Sequence, residues 1–238
     1  MLGLDEMIKK LQQILTPKRF RHSMNTMEEC IRLAEKYDVD VEKAAIAGLI
    51  HDCAKDLDKD AVLPICEKYG IIVDEIARSQ PKLLHGEIGA HMARELFGVE
   101  DPEILDAITD HTLGRPGMSK LSSIVFVADY TEAGRDFEGI EEIRKAADEG
   151  LENAIVAGID STIRHVLRKG QPLHPQSVMT RNWALKRLKE QHQEQPAHQE
   201  PAIRSCRCIR SGKRGFGALS GGIAINTVSG MTVPVFKR

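Results

Sequence analysis

The sequence is poor in aromatic residues, with one Trp, three Tyr and six Phe among 238 residues. Leu, Ile and Ala dominate instead, which favours a helical protein. No apolar run reaches the roughly 18 residues of a membrane span, so no membrane partner is expected. The five cysteines stand at irregular positions and make no disulfide framework for a chain this long. Cys30, Cys53 and Cys66 fall within helical patterns and read as small buried thiols. Cys206 and Cys208 are one residue short of the Cys-x-x-Cys spacing of a metal site, and no second pair exists. The N-terminal Met1-Leu2-Gly3-Leu4-Asp5-Glu6 lacks the basic-then-apolar order of a signal peptide, so a reducing cytoplasm is the expected compartment. A net charge of −2 gives no electrostatic reason to expect nucleic acid.

What is present is 42% hydrophobic and 29% charged, an ordinary globular balance. Charge divides the chain. Residues 1–190 carry 26 Lys and Arg against 33 Asp and Glu, whereas residues 191–238 carry 7 against 2. The second stretch is first polar and repetitive, then basic, then rich in Gly and small residues. The expectation is one domain over residues 1–190 and a disordered or loosely attached tail over 191–238.

Within the domain the periodicity predicts helices throughout. Thr16-Pro17 reads as an N-cap and first helical residue of a helix reaching about Tyr37. Asp40 caps a second, apolar on almost every face through Ala44–Ile50 and expected to continue to Asp56. Shorter helices are expected over Ala61–Tyr69 and Asp74–Ser79. Others run from His85 to Phe97, from Asp101-Pro102 to Asp110, and over Ile140–Asp148, Leu151–Arg168 and Val178–Gln191. Leu121–Tyr130 is β-branched enough to pass for a buried strand. Nothing in residues 1–190 could pair with it, so it reads as a buried helix.

His22, His51, Asp52, His85, His111 and Asp129 each lie at or near the end of one of these core helices. Ionisable groups there are costly unless they bind one another or a metal. Imidazole with carboxylate suits Fe, Mn, Zn or Co better than Ca or Mg. Four His and two Asp are too many for one open metal position and about right for two, with Asp52 as the natural bridge. A single His on a helix is usually structural and a His-Asp pair is common by chance; six such residues together are harder to explain that way. His91, in the middle of an amphipathic helix, and His165 and His174, in the late helices, read as structural or surface residues.

The order His22, His51-Asp52, His85-Gly86, His111-Thr112, Asp129 resembles the HD-domain metal-dependent phosphohydrolases. More narrowly, it is similar to the YqeK family of symmetrical diadenosine tetraphosphate hydrolases. Arg19-Phe20-Arg21-His22-Ser23, His51-Asp52-Cys53-Ala54-Lys55-Asp56, Leu84-His85-Gly86 and Ala128-Asp129-Tyr130 carry that narrower resemblance. So do the block from His111-Thr112 to Gly114-Arg115-Pro116-Gly117-Met118-Ser119, the segment Gly134-Arg135-Asp136-Phe137, and His174-Pro175. The resemblance covers residues ~5–190. Ala133 departs from it, standing where the pattern has Pro.

The resemblance implies an all-α HD-domain bundle holding two divalent or trivalent metal ions, iron before Mn, Co or Zn. It implies cleavage of a dinucleoside polyphosphate, diadenosine tetraphosphate, into two ADP by a metal-activated water, in a homodimer. His22, His51, Asp52, His85, His111 and Asp129 become the metal ligands, and Asp52, Lys55 and Asp56 the catalytic groups. Lys55, Arg115, Arg135 and Arg19 are the cations expected to meet the phosphates; for each, the plain alternative is an ion pair or a solvated charge. Glu87, directly after His85-Gly86, is a further candidate acid. Two other functions compete: an HD-type phosphohydrolase of another nucleotide (dNTP, monophosphate or cyclic nucleotide), and a metal- or nucleotide-sensing module without turnover.

Overall fold

The computed structural model describes residues 1–194; the expected tail lies almost entirely outside them. Eleven α-helices form, and no strand occurs among the described residues. They are α1 (Leu4–Ile14), α2 (Pro17–Tyr37), α3 (Val41–Ile50), α4 (Lys59–Tyr69), α5 (Glu75–Ser79) and α6 (His85–Phe97). After these come α7 (Pro102–Asp110), α8 (Lys120–Thr131), α9 (Ile140–Glu149), α10 (Leu151–Arg168) and α11 (Pro175–Glu194). None of the described helices is long and apolar enough to cross a membrane.

Thr16 and Asp40 are the caps the sequence forecasts, and Asp74 and Asp101, expected as helix starts, act as caps too. Thr16, Asp40, Asp74 and Asp101 each accept a hydrogen bond from a backbone N–H of the following turn. The ambiguous segment is helical: Ser119 caps α8, and every residue from Leu121 to Ala128 is buried. With α3, buried from Ala44 to Ile50, it forms the centre of the bundle. Around this centre α2 lies against α3 and α8, α7 against α6 and α8, and α10 against α8, α9 and α11. A smaller apolar cluster, from Ala54 and Val62 to Leu84 and Ile88, seats α4, α5 and a 3₁₀ turn at Pro81–Leu84 beside α6.

Two features differ from expectation. α1 was not foreseen; its Met7 and Leu11, one turn apart, are fully buried in the main core. α3 ends at Ile50 rather than continuing to Asp56. Past it the backbone tightens into three-residue bonds, with Cys53 N–H donating to Ile50 O and Lys55 N–H to Asp52 O. The cause is local. His51 Nδ1 lies 2.7 Å from the Gly48 carbonyl, the acceptor that another helical turn would use. Gly48 itself is required by the approach of α3 to α2, because a Cβ there would lie 2.7 Å from Cys30 Sγ and 3.1 Å from Met27 Cα.

Candidate metal centre

Three of the four core imidazoles are held by one device. His51 Nδ1 lies 2.7 Å from Gly48 O, His85 Nδ1 2.6 Å from Lys82 O, and His111 Nδ1 2.6 Å from Ile108 O. Each ring thus donates to the carbonyl three residues back, among the carbonyls that a helix end or turn leaves free. Donation from Nδ1 leaves the lone pair of the neutral ring on Nε2, directed away from the backbone. His22 lies inside α2 and has no such carbonyl. Its Nδ1 is instead 3.1 Å from Glu132 Oε1, and that carboxylate also accepts from Asn25 Nδ2 at 2.8 Å and from Gly134 N–H.

The four Nε2 atoms converge on Asp52, which is 1% exposed. Around Oδ1 stand His85 Nε2 at 3.1 Å and His111 Nε2 at 3.4 Å; around Oδ2 stand His22 and His51 Nε2, both at 3.5 Å. Asp129 joins the second group, its Oδ1 3.0 Å from His22 Nε2 and 3.9 Å from His51 Nε2. The cluster therefore has two poles joined by one carboxylate. Donor atoms of His22, His51 and Asp129, and of His51, Asp52 and His111, lie close enough together to share an ion.

The chemistry of this set fits cations. At the Oδ1 pole, His85 and His111 bring their Nε2 atoms within 2.8 Å of each other, while Asp52 Oδ1 is buried without a hydrogen-bond partner. Three acceptors turned on one another repel unless positive charge lies among them. The Lys55 ammonium, 2.9 Å from His85 Nε2 and 3.8 Å from Asp52 Oδ1, supplies part of it. Imidazole and carboxylate donors with the other ring nitrogens anchored are what a divalent transition metal takes.

Protonation follows the surroundings. Burial lowers the His51 and His85 pKa values, that of His85 to about 4 with help from Lys55, so both stay neutral. Burial acts the same way on His22, but hydrogen bonds with Asp129 and Asp52 outweigh it and raise the value to about 9. Burial also opposes the charged form of Asp129; the hydrogen bond with His22, and Arg135 beside it, nevertheless hold that carboxyl well below the usual range.

Of the expected cations, three reach the cluster. Arg19 Nη1 lies 2.6 Å from Asp52 Oδ2, Arg135 pairs with the Asp129 carboxylate and donates to its carbonyl, and Lys55 sits at the Oδ1 pole. Arg115 does not reach it, being held by Asp110 and Asp106 at 2.8 Å each. Asp56 also turns away, accepting from Thr16 N–H at 2.8 Å and tying the start of α2 to the loop after α3. His91 stacks on Tyr69 and His174 pairs with Asp74, both apart from the cluster. Glu132 is the residue that sequence reasoning missed. Its signal was close at hand: it lies two residues before the segment Gly134-Arg135-Asp136-Phe137 already singled out.

Comparison with known proteins bears on this geometry. The HD domain model matches residues 19–134, which span all six candidate ligands. A symmetrical bis(5'-nucleosyl)-tetraphosphatase of Bacillus subtilis is 37% identical over 182 residues, covering 76% of this chain and 97% of that protein. The chain belongs to this family of HD-domain hydrolases. A second member, from Halalkalibacterium halodurans, is 39% identical over 171 residues, 72% of this chain and 91% of its own. The crystal structure of an HD superfamily hydrolase from Clostridium acetobutylicum, described as involved in NAD metabolism, superposes with a TM-score of 0.76. It is 42% identical, covering 79% of this chain and 99% of that one. A helical, metal-dependent HD hydrolase is thus the common frame of the family and of the cluster around Asp52.

Proposed function

We propose that this protein hydrolyses diadenosine tetraphosphate symmetrically, giving two ADP. The observation that carries the reading is the two-pole cluster: four imidazole nitrogens and the Asp129 carboxylate gathered about Asp52, with three cations at its edge. The relatives named for this activity support it, since they share most of their length with this chain.

In this reading His22, His51 and Asp129 would hold one ion at the Oδ2 pole and His85 and His111 a second at the Oδ1 pole, with the Asp52 carboxylate available to both. Ions bound there acidify water and draw charge from a phosphate oxygen. The chain's own groups do the rest. The anchored Nδ1 donors keep the ligand rings oriented, so little reorganisation accompanies reaction. Arg19, Arg135 and Lys55 approach from both poles and offset the charge of the four phosphates, Arg19 and Arg135 with forked donors suited to phosphate oxygens. Lys55, at the Oδ1 pole, stabilises charge on the departing diphosphate.

Iron at both positions and a homodimeric assembly rest on the family resemblance, a cytoplasmic location on the cysteine pattern and the N-terminal sequence, and all belong to the same proposal. So does the assignment of the catalytic unit to residues 1–190; truncation after Glu190 should leave kcat/KM unchanged. The decisive experiment incubates metal-loaded protein with diadenosine tetraphosphate, ATP, dGTP and a cyclic dinucleotide and separates the products. ADP as the sole product of the first is expected. Turnover of another substrate in its place, or of none, overturns the reading. Elemental analysis and sedimentation test the metal and the dimer.

A further inference from the structure

α8 ends at Thr131, where Glu132 turns extended (φ −52°, ψ 154°), so the carbonyls at this helix end need partners from elsewhere. The chain then closes a tight turn, with Arg135 N–H donating to Glu132 O at 3.0 Å. Both ends of that turn face the cluster. Glu132 holds His22 Nδ1, and Arg135 pairs with the Asp129 carboxylate and donates to its carbonyl at 2.7 Å. The turn has little slack: a Cβ on Gly134 would lie 2.9 Å from Asn25 Nδ2 and 3.0 Å from Glu132 Oε2.

The backbone of the turn is held from α9, a helix that supplies no candidate ligand. Arg144 Nε donates to Thr131 O at 3.2 Å, and Nη2 donates to Glu132 O at 3.0 Å and Arg135 O at 3.1 Å. One guanidinium thus joins the end of α8 to both ends of the turn, while its Nη1 is tied to Glu141 at 2.6 Å. Three carbonyls directed at one place repel one another, and a planar cation with forked donors offsets that repulsion. We propose that Arg144 is a positioning residue for the Oδ2 pole, acting through the Glu132–Arg135 turn on His22 and Asp129. Its own partners are backbone carbonyls and Glu141, none of them a candidate ligand. Without the guanidinium the turn can shift, and the Glu132 carboxylate loses its fixed distance from His22 and Arg135 its hold on Asp129. The proposal rests on the metal-dependent hydrolase reading for the use of that pole, but its test is metal binding, which needs no substrate.

The test titrates the full chain with Mn²⁺ by calorimetry and records the Tm of the metal-free protein. Arg144→Met keeps the aliphatic stem and should bind Mn²⁺ about ten-fold more weakly, the low end of what an outer partner of a ligating imidazole contributes. Arg144→Lys should recover part of that affinity at most, because one ammonium cannot span both ends of the turn. It carries the test by itself if Arg144→Met does not fold. Combined with Glu132→Ala, Arg144→Met should cost less than the product of the two single losses, since both act through one carboxylate. Unchanged Mn²⁺ affinity in Arg144→Met, with or without a lowered Tm, overturns the proposal. So does full affinity in Arg144→Lys, or independent losses in the double variant, either of which would leave Arg144 a brace between α8 and α9. A chain that titrates as expected yet leaves diadenosine tetraphosphate intact would sink the hydrolase reading while sparing the role of Arg144.

Discussion

Glu132 and Arg19 both touch the centre, but they do different work. Glu132 is 2% exposed and holds the outer nitrogen of His22, whereas Arg19 donates to the Asp52 oxygen that faces the Oδ2 pole. Removing the anchor of a metal-ligating imidazole typically costs about 10–100-fold in metal affinity, and that is the expected effect of Glu132→Ala in a metal titration. Arg19→Ala should keep its metal content and lose about 10–100-fold in kcat/KM, the equivalent of one charged hydrogen bond to substrate. Metal lost from Arg19→Ala with Glu132→Ala unaffected would reverse these roles. Identity of type says little at this scale. Arg19, Arg115 and Arg135 are all arginines near a candidate ligand in sequence, and only Arg19 and Arg135 point at the cluster.

Between elements, the centre depends on how closely helices approach. A Cβ on Gly86 would lie 2.8 Å from Thr109 O and 2.9 Å from Thr112 Oγ1, so α6 meets the end of α7 through that glycine. Gly86→Ala should cost about 1–3 kcal/mol from overpacking, visible as a lowered Tm. It should also weaken metal binding, because His85 and His111 would be levered apart. A second joint links α5 to the start of α11, where Asp74 caps Ala77 N–H at 2.8 Å and accepts from His174 at 2.7 Å. The Ala77 bond first, and His174 second, hold the Asp74 carboxyl below its usual value. A carboxyl depressed in the folded state contributes stability above its unfolded pKa and loses it as pH falls through the folded one. The stability difference between wild type and Asp74→Ala should therefore be constant near neutrality and shrink below about pH 4. A difference that grows on acidification would show that Asp74 acts otherwise.

For the whole molecule, metal binding should be coupled to folding, because the candidate ligands come from α2, α6, α8 and the ends of α3 and α7. An ion that binds only the folded chain stabilises it by about 2.7 kcal/mol at a hundred times its Kd. At about 2–4 °C per kcal/mol for a domain of this size, that is a rise in Tm of about 5–10 °C. Chelation should reverse the rise, and Asp52→Asn should abolish it, since the bridge between the poles is lost. A thermal scan with and without Mn²⁺ or Fe²⁺ checks both.

Much of this was legible in the sequence because it is local. N-caps at Thr16 and Asp40, helix starts at Asp74 and Asp101, and the spacing of apolar residues set helices whose caps and periods need no distant partner. The six candidate ligands were legible as residues too polar for the helix ends they occupy. α1 was legible in principle, since Leu4, Met7, Ile8 and Leu11 follow the helical period, but its burial depends on the core it joins.

The sequence alone determined the helical class and singled out the six candidate ligands, because periodicity, capping and the cost of burying charge operate within a few residues. Only the tertiary structure decided where α3 stops, which cations face the cluster, and that Glu132 fixes His22. Those outcomes depend on the direction a side chain takes after its helix ends. That direction is set by packing between elements far apart in the chain, as Asp56 shows by turning back forty residues to hold the start of α2.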